Sequence, residues 1–218
     1  MTILAWKWLR KLIKKFKKAE ADKRTIWPTA EEIAQLPLFE RINPDGIVVI
    51  TTKEGAQRAY DELMKEKVVG FDTESKPTFI KGQKSTGPHV AQFATSEQTY
   101  IFMLHQDDCR KTATALIKSP KLKKVGFGLQ DDLKRIQIKL KIRPQEVVDI
   151  EALFGAKGYK RGVGVKTGVA IALKRQFKKS KSQSTSNWGA PHLTDNQLIY
   201  AANDAYAAIQ VYQALLSL

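Results

Sequence analysis

The stretch VVGFDTESKP, residues 68–77, decides how this chain is read. Val68, Val69 and Phe71 give it strand character, and the run ends on two carboxylates, Asp72 and Glu74, one residue apart. Residues i and i+2 of a strand point to the same face, so the two acids stand side by side and repel each other. A cation, a basic partner or water has to offset them. Acids at strand ends are often only turn formers, so the pair alone leaves a metal site and a plain turn both open. The C-terminal ends of strands are, however, where loops converge on a site in α/β folds.

Working outward from that strand, RINPDGIVVI (41–50) turns through Asn-Pro-Asp-Gly into a second strand ending near Ile50. TTKEGAQRAYDELMKE (51–66) is a helix with a Thr at its start. Beyond Glu74, SKPTFIKGQKSTGPH is a polar, Gly-containing loop, and VAQFAT and TYIFML are two short strands joined as a hairpin. A helix near 108–118, the strand KKVGFG, a helix from Leu129, the short strand EVVDI and a final Ala-rich helix from about Thr194 complete the pattern. Hairpin strands first and helix-linked strands afterwards predict an α/β fold with a mixed sheet and helices on its faces. Residues 176–188, QFKKSKSQSTSNW, are too polar for a core segment and read as a mobile basic loop.

With 218 residues the chain has room for one domain and an appendage. Its net charge of +15 calls for a polyanionic partner, nucleic acid or anionic lipid. That charge is concentrated. Residues 1–24 hold nine Lys/Arg against two acids, and residues 152–194 hold nine Lys/Arg and no acid. The first segment reads as a basic amphipathic helix, with Trp6, Leu9, Leu12, Ile13 and Phe16 on one side, and it fits an anionic membrane surface. Docking on its own domain or lying along nucleic acid would produce the same pattern. The expected layout is therefore a helix over 1–24, a linker over 25–44 and a domain over 45–218.

The second basic stretch is read as a surface that tracks phosphates, with Lys174, Arg175, Lys178, Lys179 and Lys181 along the strand and Trp188 stacking a base. The single Cys109 rules out an intramolecular disulfide and the usual cysteine zinc sites, which suits a reducing, cytoplasmic compartment, and the basic segment 1–24 adds an expected peripheral contact at the inner membrane surface. His89, His105 and His192 have no ligand spacing, and GVGVK (162–166) lacks the rest of a phosphate-loop fingerprint.

Further acids extend the pair at 72 and 74. VGFGLQDDLKRI places Asp131 and Asp132 just inside a helix, and YAANDAY places Tyr200 and Asp204 four residues apart on one helical face. Carboxylates from separate segments meeting beside a basic surface would suit hard divalent cations, which prefer oxygen ligands.

FDTES, GFGLQDDL and YAANDAY, in that order, resemble the three motifs of the DEDD-superfamily 3′-5′ exonucleases, tyrosine subclass, which includes ribonuclease D and the Werner-type exonuclease domain. TSNW (185–188) followed by LTDNQLIYAA is similar to that family's approach to its third motif. The resemblance spans roughly 45–216 and implies a ribonuclease H-like fold with a five-stranded mixed sheet flanked by helices. It further implies a 3′-5′ exonuclease of DNA or RNA that releases nucleoside 5′-monophosphates with two divalent cations, Mg²⁺ or Mn²⁺. Asp72, Glu74 and Asp204 would hold one ion, Asp72 with Asp132 the other, and Tyr200 would orient the attacking water. Asp132 is preferred to Asp131 because the family's aspartate is commonly followed by an apolar residue, here Leu133. The alternative is a non-catalytic nucleic-acid-binding or membrane-tethered adaptor of the same fold, against which the presence of all five expected residues argues.

Overall fold

A computed structural model describes residues 27–78, 80, 82–83, 85–159 and 162–217. The segment 1–24 lies outside the described residues. Six strands, β1 (Ile47–Ile50), β2 (Val68–Glu74), β3 (Val90–Ala94), β4 (Thr99–Met103), β5 (Lys123–Gly126) and β6 (Val147–Asp149), form one sheet in the order β1-β4-β3-β2-β5-β6. Strand β3 is antiparallel to both neighbours, with Asp72 opposite Gln92, and the other pairs are parallel. The sheet is mixed and helix-flanked as expected. Its strand count is six where the family resemblance implies five, and it equals the six strand-like runs in the residues themselves.

The helices are α1 (Ala30–Ala34), α2 (Lys53–Leu63), α3 (Asp107–Lys118), α4 (Gln130–Leu140), α5 (Ile150–Ala156), α6 (Val165–Leu173), α7 (Lys181–Ser184) and α8 (Asp195–Leu216). Strand alternation divides the core. Val69, Phe71, Phe93 and Phe102 point to the face covered by α2, α3 and α4, where Leu63, Leu116 and Ile136 are fully buried. On the other face Val125 packs with Phe154, Val169, Ala205 and Ile209 from α5, α6 and α8. Helices α5 and α6 were not expected from the sequence; they are short and lie in an apolar, glycine-containing stretch with little polar periodicity.

Two devices fix α8. A capping box at its start pairs Thr194 with Gln197, whose Nε2 also donates to Ser186 Oγ at 3.0 Å. At mid-length the helix backbone rests directly on β2. A Cβ at Gly70 would overlap the Ala205 carbonyl oxygen and stand 2.9 Å from its carbon, so glycine sets the separation of strand and helix.

The segments expected as a linker (25–44) and as a mobile loop (176–188) are in part docked. Phe39 N donates to Gln176 O at 2.9 Å and Gln176 N to Pro37 O at 2.8 Å, while Ile42 N donates to Asn203 Oδ1 at 3.1 Å. Phe177 is 5% exposed and packs on Phe39, with ring centroids 5.5 Å apart. The polar composition of 176–188 concealed two buried aromatic anchors, Phe177 and Trp188. Among the described residues no helix is long and apolar enough to cross a membrane.

Candidate active site

The C-terminal end of β2 is where the acids gather. Gly70, Asp72 and Glu74 share the face that meets α8, so the close approach at Gly70 brings the buried Asp204 against Asp72. Ligand oxygens of Asp72, Glu74 and Asp204 lie within 4.8 Å of one another, the one group of three potential ligands of this kind among the described residues. Asp204 Oδ1 is buried with no hydrogen-bond partner among the described residues.

Asp132 reaches the same strand end from the opposite layer. It sits on the first turn of α4, and its Oδ1 accepts from Thr73 Oγ1 at 2.7 Å and lies 3.5 Å from Arg135 Nη1. It stands outside the group of three, yet its charge is among those that raise the pKa of Asp72 and Glu74. Asp131, the rival in the sequence, is exposed and pairs with Lys134 at 2.9 Å, pointing away. The turn before α4 is held by Asp149 at the end of β6: Oδ1 accepts from Gly128 N at 3.1 Å and Oδ2 from Leu129 N at 2.9 Å. Gly128 has φ +64°, a conformation that favours glycine.

The electrostatics are those of a site in need of positive charge. Burial first, then the Asp204 and Asp132 carboxylates, push the Asp72 carboxyl well above the usual range. Glu74 is raised well above its range by burial and then by Asp72 and Asp204. Burial also raises Asp204 and Asp132, against the lowering effect of Lys179 on the first and of Thr73 and Arg135 on the second. Hard oxygen donors, mutual repulsion and an unpartnered buried carboxylate oxygen fit a divalent cation.

Tyr200 lies one helical turn before Asp204. Burial and then the Asp204 charge raise its phenol above the ordinary value, so it remains a hydrogen-bond donor at neutral pH. The ring stands 5.7 Å from that of Trp188, which is 0% exposed. Trp188 therefore cannot stack a base; flanked by polar Asn187 and Gly189 it looked like a surface residue, but it forms the wall behind Tyr200.

The other expected strand contacts separate into two kinds. Lys174, Arg175, Lys178 and Lys181 are exposed. Lys179 points inward instead: its Nζ lies 2.6 Å from Asp204 Oδ2 and 5.0 Å from the centroid of the Tyr200 ring. A cleft of about 550 Å³ opens beside it, lined among others by Arg41, Phe177, Asn203, Tyr200 and Asp204. Sequence reasoning missed Thr73, Asp149 and the buried Gln92 opposite Asp72, whose amide has no partner among the described residues. Only the position of Thr73, between the two acids of FDTES, could have signalled its part.

Residues 47–218 match the family model described as 3′-5′ exonuclease. Over 150 residues the chain is 28% identical to the bifunctional 3′-5′ exonuclease/ATP-dependent helicase WRN of Mus musculus, covering 68% of this chain and 11% of that protein. The chain thus spans only a small part of that relative. In three dimensions it is similar to the Aedes aegypti Nibbler EXO domain, with TM-score 0.69 and 19% identity over 82% of this chain and 90% of that one. The Trypanosoma brucei RNase D in complex with RNA U12 gives TM-score 0.68 and 18% identity over 86% and 65% of the respective chains. The family match over most of the length, the ordered acids and the mixed sheet agree, and the chain belongs to the 3′-5′ exonuclease domain family, of the DEDD type that includes ribonuclease D and the Werner exonuclease.

Proposed function

We propose that this domain removes nucleotides one at a time from the 3′ end of a DNA or RNA strand, releasing nucleoside 5′-monophosphates with the help of two divalent cations, Mg²⁺ or Mn²⁺. The observation that carries the reading is the convergence of Asp72, Glu74 and Asp204 beside Tyr200, on elements far apart in the chain. Asp72, Glu74 and Asp204 would hold one ion, and Asp72 with Asp132 the second. Bound there, such ions supply a water of lowered pKa and neutralise charge developing on the phosphodiester.

The residues of the chain do the rest. Tyr200, protonated at neutral pH, donates a hydrogen bond that orients the attacking water; its raised pKa makes it a poor general base. Water attacks phosphorus, the bond from phosphorus to the 3′ oxygen of the next nucleotide breaks, and that oxygen leaves as a hydroxyl on the shortened strand. Thr73 keeps Asp132 turned toward the end of β2. Lys174, Arg175, Lys178 and Lys181 follow the backbone phosphates, which both nucleic acids offer alike. The cleft between residues 38–41 and 176–183 borders Tyr200 and is large enough for a nucleotide.

Incubation of matched 3′-labelled DNA and RNA strands with Mg²⁺ or Mn²⁺ tests the reading. Labelled mononucleotide is expected, and chelator should abolish it. Internal fragments would mean an endonuclease, and retention without cleavage would mean an adaptor; either overturns the proposal.

A further inference from the structure

Among the described residues, Lys179 is the cation paired with a member of the Asp72, Glu74 and Asp204 group, in a role the proposed reaction does not use. Its neighbours Lys178, Ser180 and Lys181 are exposed, whereas its own side chain is 30% exposed, with Nζ 2.6 Å from Asp204 Oδ2 and 5.0 Å above the Tyr200 ring. Asp204 is also one of the three acids whose ligand oxygens converge. The segment that carries it has a buried aromatic on either side, Phe177 and Trp188.

We infer that Lys179 is an internal counter-ion that competes with a divalent cation for Asp204, so that this lysine sets the metal affinity of the site. The inference rests on the metal-dependent reading of the acids. A doubly charged ion taking Asp204 as a ligand would lie within a few ångströms of the ammonium, in surroundings where charges are poorly screened. Repulsion at that range outweighs the gain from sharing one carboxylate, and the ammonium must leave Oδ2 for the ion to be held well. Once displaced, the side chain remains on the surface segment between Lys178 and Lys181, the cations assigned to the strand.

Two measurements on the full chain test this. In the first, Mn²⁺ binding is followed by calorimetry for the wild type, Lys179→Met, Lys179→Arg and Asp72→Asn. Lys179→Met is expected to bind Mn²⁺ roughly 10- to 100-fold more tightly than wild type, the size usual for changes next to a metal ligand. Lys179→Arg, which keeps the charge, should stay near wild type. Equal or weaker binding by Lys179→Met overturns the inference, and weaker binding would mean that the ammonium supports the ligand. If the wild type binds no better than Asp72→Asn, the metal reading itself has failed, a distinct result.

The second measurement needs no variant. Amine acylation of the wild type, read by mass spectrometry with and without Mn²⁺, should show Lys179 becoming more reactive with the ion while the exposed Lys178 stays constant. Unchanged reactivity at Lys179 under saturating Mn²⁺ overturns the inference even if Lys179→Met does not fold.

Discussion

Gly70→Ala tests the claim that a single close approach between β2 and α8 sets the site. The added methyl would overlap the Ala205 carbonyl oxygen and stand 2.9 Å from its carbon and 3.1 Å from Ile209 N. Carbon atoms prefer separations of about 3.5–4.0 Å, so α8 has to retreat by about 1 Å. Both partners at the contact are main chain, so no side chain can turn aside to make room. Overpacking of this kind costs about 2–3 kcal/mol, which for a domain of this size lowers the Tm by about 4–12 °C. The same retreat carries Asp204 and Tyr200 away from Asp72 and Glu74, and a 1 Å misplacement of reacting groups can lower the rate about 100-fold. Thermal unfolding by circular dichroism and single-turnover release from a labelled oligonucleotide would read the two effects. Gly155→Ala is the control, because a Cβ there meets nothing within 4 Å. Wild-type Tm and wild-type rate in Gly70→Ala would refute the reasoning.

Three further outcomes are expected. Asp72→Asn should lose hydrolysis while its Tm in chelator is unchanged or higher, because the substitution relieves crowding among buried charges; full activity would contradict the assignment. Thr73→Val removes the 2.7 Å hydrogen bond to Asp132, worth about 1.5–3 kcal/mol for a charged acceptor, and should lower kcat with strand affinity unchanged; a fall in strand affinity alone would sink the role given to Thr73. The third concerns pH. Asp72 and Glu74 have folded-state pKa values raised above their ordinary ones, so between the two the native state binds more protons than the unfolded state. In chelator, stability should therefore fall as pH rises from the ordinary carboxylate value of about 4 through the raised values, and be regained on acidification. The double variant Asp72→Asn, Glu74→Gln should flatten that dependence. Saturating Mn²⁺ should reverse it, since ligands must be deprotonated to bind metal; a slope of the same sign with and without Mn²⁺ would contradict the account.

Much of the fold could be read from the chain because its signals are local. Alternation in VVGFDTE, the Thr caps at 52 and 194 and the hairpin between Ala94 and Thr99 each depend on neighbours in sequence. The acids were found by spacing and resemblance, and the structure brings Asp72, Glu74 and Asp204 together with Asp132 close by. Features that arise between distant segments stayed hidden. Trp188 is surrounded in sequence by polar residues and becomes buried among distant ones, Val90 and Met103 of the hairpin and Tyr200 and Ala201 of α8. Lys179 is indistinguishable from Lys178 by composition, and its inward turn shows only in its pairing with Asp204, twenty-five residues further on. Asp149 closes a strand in the sequence, but it serves a turn twenty residues earlier.

The most direct measurement is a crystal structure of the full chain grown with Mn²⁺ and collected for anomalous scattering. A manganese peak among the carboxylates of Asp72, Glu74 and Asp204, with a second held by Asp72 and Asp132, is the predicted result. No peak there, or one held by other residues while these side chains keep their present positions, would contradict the assignment of this site.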